Sequence, residues 1–134
     1  MNEPIHRRVI NFARGSWYPK GQQRLMGSIL RDSHPAPAMS LFQNEEVDVG
    51  QPPHSEIPYA FKLGCFQRAL AEGVDLVLWL DAACYAIRDI SPVFDHIEKH
   101  GYFFVGASGE GEAHTIGKWT NDATLDAFGF ERDE

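Results

Sequence analysis

The sequence predicts an α/β protein, an open and mostly parallel sheet with helices on both faces. Three observations lead there. Short β-branched or apolar runs alternate with longer segments of helical periodicity. The stretch Asp75-Leu-Val-Leu-Trp-Leu-Asp81 sets five consecutive apolar residues between two acids, the pattern of a strand covered on both faces. Glycine or proline marks the joints, at Gly15, Pro35, Gly73 and Gly101.

Taken in order, Arg8–Phe12 is β-branched and apolar and reads as the first strand. Gly15 and Ser16 allow a turn, and Pro19 suits the first turn of a helix. That helix runs from about Lys20 to Arg31, with Leu25, Met26, Ile29 and Leu30 on one face, and His34-Pro35-Ala36-Pro37 stops it. Met39–Phe42 is a short second strand. Gln43–Pro58 carries three prolines, one glycine and four acids and is a long loop. A second helix covers about Tyr59 to Glu72, its apolar positions Tyr59, Leu63, Phe66 and Leu70 recurring at helical spacing before Gly73. The Asp75–Leu80 strand follows, then Tyr85–Ile87 as a brief strand or edge segment. Ser91-Pro92 reads as the N-cap and first residue of a third helix that ends at Gly101. Tyr102–Val105 is expected to be a further buried strand, and Gly106–Gly117 a flexible loop. Asn121 or Asp122 caps a last short helix through Phe128. Residues 1–134 are expected to form a single α/β domain.

With 134 residues, 43% of them hydrophobic, the chain is large enough for one domain with its own core and is not disordered as a whole. No apolar run approaches the roughly 18 residues that cross a bilayer, and Met1–Arg8 lacks the apolar stretch of a secretory signal. The expectation is a soluble, cytoplasmic protein. Cys65 and Cys84 are too few for a disulfide framework, and both are expected to be buried, reduced thiols. The net charge of −7 argues against non-specific binding of nucleic acid. It is unevenly spread: residues 1–31 hold six Lys/Arg and one acid (+5), and residues 32–134 hold six Lys/Arg and eighteen acids (−12). The basic segment is either a solvated surface or a local anion site suited to phosphate.

Asp81 stands where the apolar strand leaves the sheet, the edge at which open α/β sheets bind ligands. As a cap of the following turn it would have a structural role only. A phosphoacceptor of the receiver-domain type also follows such a strand, but it needs an acidic pair at the end of the first strand, which here ends Asn11-Phe12-Ala13-Arg14.

The block Val77-Leu78-Trp79-Leu80-Asp81-Ala82-Ala83, followed by Arg88-Asp89-Ile90-Ser91-Pro92-Val93-Phe94, resembles the GT-A-type nucleotide-diphospho-sugar transferases of bacteria and phages. That family has a Rossmann-like fold in which a buried strand leads into an Asp-X-Asp element and a helix start. Tyr59-Ala60-Phe61-Lys62 is similar to a lysine-bearing helix that precedes this strand in several such families. Gly101-Tyr102-Phe103-Phe104 and Lys118-Trp119-Thr120-Asn121-Asp122 look like downstream pieces. The resemblance spans about Arg8 to Arg132 at the level of pattern, and Trp79–Phe94 is its most specific part.

The resemblance implies a glycosyltransferase that binds a nucleotide-activated sugar and transfers the glycosyl group to an acceptor it does not name. Asp81 would contact the ribose or a diphosphate-bound Mn²⁺ or Mg²⁺ and would be the metal ligand and a catalytic residue. Arg14 and Lys62, with Lys20 as a further candidate, would neutralise phosphate. Trp17 or Tyr18 would stack on the base, and Asp122 would contact the acceptor or act as base. The second Asp of the element is replaced by Ala83, with Cys84 next, which lowers the expected metal affinity. The chain also stops where acceptor-binding elements are expected, so it reads as the N-terminal, donor-binding part of a longer fold. The alternative is a non-catalytic Rossmann-like module that keeps the fold for interaction or assembly.

Other groups carry less. His96 and His100 lie at i, i+4 on a helix, but Glu98 is at the wrong offset for a zinc-protease motif and no third ligand is evident. The glycines of Gly106–Gly111 are accompanied by Glu110, with Glu112 next, and these acids would repel phosphate. Ser16 and Ser108 have no evident His/Asp partners. Trp119 reads as core packing or as the lining of an acceptor pocket.

Overall fold

The computed structural model of the chain describes residues 4–43, 51–105, 108–109, 112–113, 120–129 and 131. The chain divides into two compact units, Met1–Tyr102 and Phe103–Glu134.

In the first unit the elements alternate: β1 (Arg7–Ala13), α1 (Tyr18–Asp32), β2 (Ala38–Gln43), α2 (Ala60–Ala71), β3 (Leu76–Trp79) and α3 (Ser91–His100). The three strands form one parallel sheet in the order β2-β1-β3. The α/β class and the parallel open sheet therefore hold. Because side chains alternate along a strand, successive residues of β1 feed two separate cores. Val9 packs with Leu78 of β3, with Leu25 and Ile29 of α1, and with Phe94 and Ile97 of α3. Its neighbour Ile10 packs with Phe42, Cys65, Ala69 and Val74 on the α2 side. Helices thus cover both faces, and β1 is central.

Leu25 and Ile29 of α1 face the core as their spacing predicts, but Leu30 is exposed, and the polar residues Gln22 and Ser28 are buried in its place. In α2 the expected stripe holds only at Phe66, which packs against the core; Tyr59, Leu63 and Leu70 are exposed, and the helix buries Gly64, Cys65 and Ala69. Small residues on the inner side let this helix lie close against Ile10 and Phe42 of the sheet. At the start of α3, Asp89 Oδ1 accepts the backbone N–H of Ser91 at 3.0 Å and its hydroxyl at 2.9 Å, so Ser91 is the first helical residue rather than the cap. Gly101, with φ +85°, closes this helix with its N–H on the Ile97 carbonyl at 2.7 Å.

One expected strand, and one segment expected to be a brief strand or edge segment, are coil. Tyr102–Val105 is coil, and Phe104 and Val105 are more than four-fifths exposed. An apolar run by itself does not distinguish a buried strand from another apolar segment, and this one lies at the boundary between the two units. Tyr85–Ile87 is also coil: the Ala86 N–H is taken by the Ser28 hydroxyl of α1 at 2.8 Å, so the segment is tied to a helix and not to the sheet. Cys84 is exposed, contrary to the expectation for both thiols, while Cys65 is buried, and neither is in a disulfide.

The second unit holds a two-residue antiparallel pair, β4 (Ser108–Gly109) with β5 (Glu112–Ala113), inside the segment expected to be a loop. It also holds α4 (Asp122–Phe128). Of the two expected caps it is Asn121 that serves, its side chain accepting the Thr124 N–H at 2.9 Å; α4 ends at Phe128 as expected, followed by Gly129 with φ +70°. Trp119 lies outside the described residues. Among the described residues, no helix is long and apolar enough to cross a membrane.

Candidate functional site

The strand order places a switch point at the C-terminal edge of the sheet. From β1 the chain turns to β2 on one side, and it later returns to lay β3 on the other. The crevice between the ends of β1 and β3 is where such sheets take ligands. Asp81 emerges there, two residues beyond β3, with its side chain 60% exposed. Residues 79 and 81 point to the same side, and the Trp79 indole N–H donates to Asp81 Oδ1 at 2.7 Å. Lys62 Nζ, in the first turn of α2, donates to the same oxygen at 3.2 Å.

Lys62 is held between rings. Its ammonium lies 4.9 Å from the centroid of Trp79 and 5.3 Å from that of Tyr59. Behind it, Phe61 packs on Phe12 of β1 (centroids 4.5 Å apart) and on Trp79 (6.2 Å), and Phe66 stacks on Trp79 (6.1 Å). Tyr59 takes a left-handed backbone conformation, φ +66°, which costs a non-glycine residue about 1 kcal/mol. It is held there by His54, whose Nδ1 accepts the Tyr59 N–H at 3.0 Å while the two rings meet edge to face. The exposed Tyr59 ring is thereby fixed beside the lysine.

A buried polar network stiffens the floor of this edge. Asn11 and Gln22 are both essentially inaccessible. Asn11 Nδ2 donates to the Leu80 carbonyl at 2.6 Å, and Gln22 Nε2 donates to Asn11 Oδ1 at 2.8 Å and to the Phe42 carbonyl at 3.0 Å. Gln43 Nε2 completes the network on Gln22 Oε1 at 2.8 Å. One chain of amides thus ties the ends of all three strands to α1, and it does so without cost because every member is satisfied. Helix α1 also clamps the loop after β3. Arg24 Nη2 donates to the Ala83 carbonyl at 3.0 Å, the Ile90 N–H reaches Ser33 Oγ at 3.2 Å, and Gly21 lies against the Ala82 carbonyl with no room for a Cβ.

The basic N-terminal segment resolves into two groups. Arg7 pairs with Asp95 and Glu98, Arg8 with Glu72, and Arg31 with Asp32. Arg14 and Lys20 have no carboxylate partner among the described residues. Arg14, Trp17 and Tyr18 are exposed at the turn after β1, on the same sheet edge as Asp81, and Lys20 Nζ sits 4.7 Å over the Trp17 ring. Among the described residues no hydrogen bond, ion pair or ring contact joins them to Asp81 or Lys62. Asp122 belongs to the second unit and opens α4, where a first-turn acid also complements the helix dipole.

The donors around Asp81 do not fit a resident divalent ion. One oxygen of the lone carboxylate already receives an ammonium and an indole N–H, and Ala83 supplies nothing. A cation entering there would meet the Lys62 charge directly. Residues 96 and 100 bring their rings to 4.4 Å, and among the described residues no cluster of three His, Cys, Asp or Glu forms. Two shallow depressions, of about 440 and 590 Å³, lie at the opposite, N-terminal edge around His6 and Arg8. Arg7 and Arg8 there are already paired with acids, which leaves the C-terminal edge as the better candidate.

The aromatic frame and the amide network were not singled out from the sequence. The signal for the first is Tyr59, Phe61, Phe66 and Trp79 flanking one lysine and one acid. The second gives none, because a lone Asn or Gln reads as solvent-facing. No family model, curated protein or solved structure matches the chain.

Proposed function

We propose that the C-terminal edge of the sheet binds a nucleotide-activated sugar and that the chain is glycosyltransferase-like. The observation that carries the reading is an exposed carboxylate at the switch point of a parallel sheet, held at 3.2 Å from the lysine of the preceding helix. Lys62 would offset the charge that builds on the diphosphate as the glycosidic bond breaks, with Arg14 and Lys20 supplying further positive charge from the β1 turn. Asp81 would accept a ribose hydroxyl through its outer oxygen. Trp17, Tyr18 or Tyr59 offers an exposed ring for the base. The stiff amide network under the site would keep these groups in place without a rearrangement on binding.

Thermal melting in the presence of UDP or GDP tests this. A nucleotide present at about 100 times its dissociation constant adds about 2.7 kcal/mol, a rise on the order of 10 °C for a chain of this size. Asp81→Ala is expected to remove the shift and, because the Trp79 indole and the Lys62 ammonium lose their acceptor, to lower the unliganded melting point by a few degrees while the chain still folds. Absence of a shift with every nucleotide would instead favour the non-catalytic module.

A further inference from the structure

We infer that Lys62 serves as the built-in counter-charge of this site, so that a nucleoside diphosphate binds without a divalent ion. This rests on the nucleotide-sugar reading above and deepens it. A divalent ion there would have to be held by Asp81 and would supply positive charge to the diphosphate. The Lys62 ammonium lies against that carboxylate, donating to Asp81 Oδ1 at 3.2 Å. An ammonium has three donors, so it can keep one on Asp81 and offer the others to phosphate oxygens.

Three features set this lysine apart from an ordinary surface cation. Its charge lies 4.9 and 5.3 Å from the centroids of Trp79 and Tyr59, and its side chain is two-thirds buried. Both rings are themselves fixed, Trp79 by its indole bond to Asp81 and by Phe66, Tyr59 by the His54 hydrogen bond that holds its left-handed backbone. Asp81 has its inner oxygen filled by the ammonium and the indole, and a single carboxylate so engaged is a poor ligand for Mn²⁺ or Mg²⁺. With Ala83 offering no second acid, the carboxylate positions an organic cation in place of a metal.

Titration calorimetry with UDP and GDP, in excess EDTA and then in Mn²⁺, tests the inference on the full chain. The dissociation constant is expected to agree within about twofold between the two media. Lys62→Met, which keeps the stem and removes the charge, is expected to weaken binding roughly tenfold to a hundredfold in both, and Lys62→Arg to retain most of it. Melting of each unliganded variant verifies that it folds. Binding that vanishes in EDTA and returns with Mn²⁺ would overturn this inference and leave the nucleotide-sugar reading standing. Unchanged affinity in Lys62→Met would do the same. No binding in either medium would bring down both.

Discussion

Cys65 is packed among Ile10, Phe42 and Ala69, and burial pushes its thiol pKa up to about 11, whereas Cys84 is exposed in the loop after β3. A buried, protonated thiol reacts slowly with electrophiles, so the native chain is expected to take one carbamidomethyl group at about pH 8, at Cys84, and a second only in denaturant. Two rapid additions to the native protein, read by peptide mass, would show that the α2 core opens. The shift also has a sign. The folded thiol holds its proton above the ordinary value of 9.0, so its contribution to stability is complete below that pH and is lost as pH rises towards 11. At this scale the sequence is legible where burial follows from period or sheet position, as at Leu25, Ile29 and Asp81. It is silent on Cys84, whose apolar neighbours Ala83 and Tyr85 give no sign that the loop turns its thiol to solvent. Tyr59 is similar: its left-handed backbone depends on a hydrogen bond to His54, five residues away in a proline-rich loop.

Helix α1 carries two glycines that look equivalent in sequence and are not. Gly27 has open space around it, so Gly27→Ala should stabilise the protein by up to about 1 kcal/mol through helix propensity. At Gly21 the added methyl would overlap the Ala82 carbonyl just beyond Asp81, and overpacking of that kind costs about 1–3 kcal/mol, more than the propensity gain. The melting temperature is therefore expected to rise for one variant and fall for the other. A rise for both would mean that α1 does not press on the loop that carries Asp81. The elements themselves were legible in the first unit, since strands and helices there differ in period and are punctuated by Gly and Pro. What each helix buries was less so. Gln22 and Ser28 are inside α1 because the ends of β1 and β2 and the Ala86 N–H need partners, and that need arises only once the elements have come together. In α2 the helical period was right, but Cys65 and Ala69 face the sheet together with Phe61 and Phe66, while Leu63 and Leu70 of the expected stripe are exposed.

Charge organises the first unit as a whole. The basic N-terminal segment and the acidic remainder meet as pairs that tie β1 to helices distant in sequence, Arg8 to Glu72 at the end of α2 and Arg7 to Asp95 and Glu98 of α3. The imbalance of +5 against −12 was visible in the sequence, but which arginines pair and which stay open at the C-terminal edge depends on the sheet order β2-β1-β3. These pairs give stability an acid limit. The Arg8 guanidinium, by hydrogen bond and charge, holds the Glu72 carboxyl below its ordinary value of 4.5, Arg31 does the same for Asp32, and the Ser91 N–H and hydroxyl lower Asp89. A carboxylate whose folded pKa is depressed contributes stability that is present above its unfolded pKa and lost as pH falls through the folded one. The melting temperature should therefore be nearly flat from about pH 7 to pH 5 and fall below about pH 4.5, where unfolded Glu and Asp take up protons. Because these groups are exposed and screened, each contribution is small, and added salt should shrink the acid-side slope. Glu72→Gln keeps the shape of the contact and removes its charge, so it should lower the melting temperature slightly at about pH 7, match the parent chain at about pH 3, and thereby flatten part of that slope. An unaltered acid profile in Glu72→Gln would mean that the charge pair joining β1 to the end of α2 does not hold the sheet to its helix in solution.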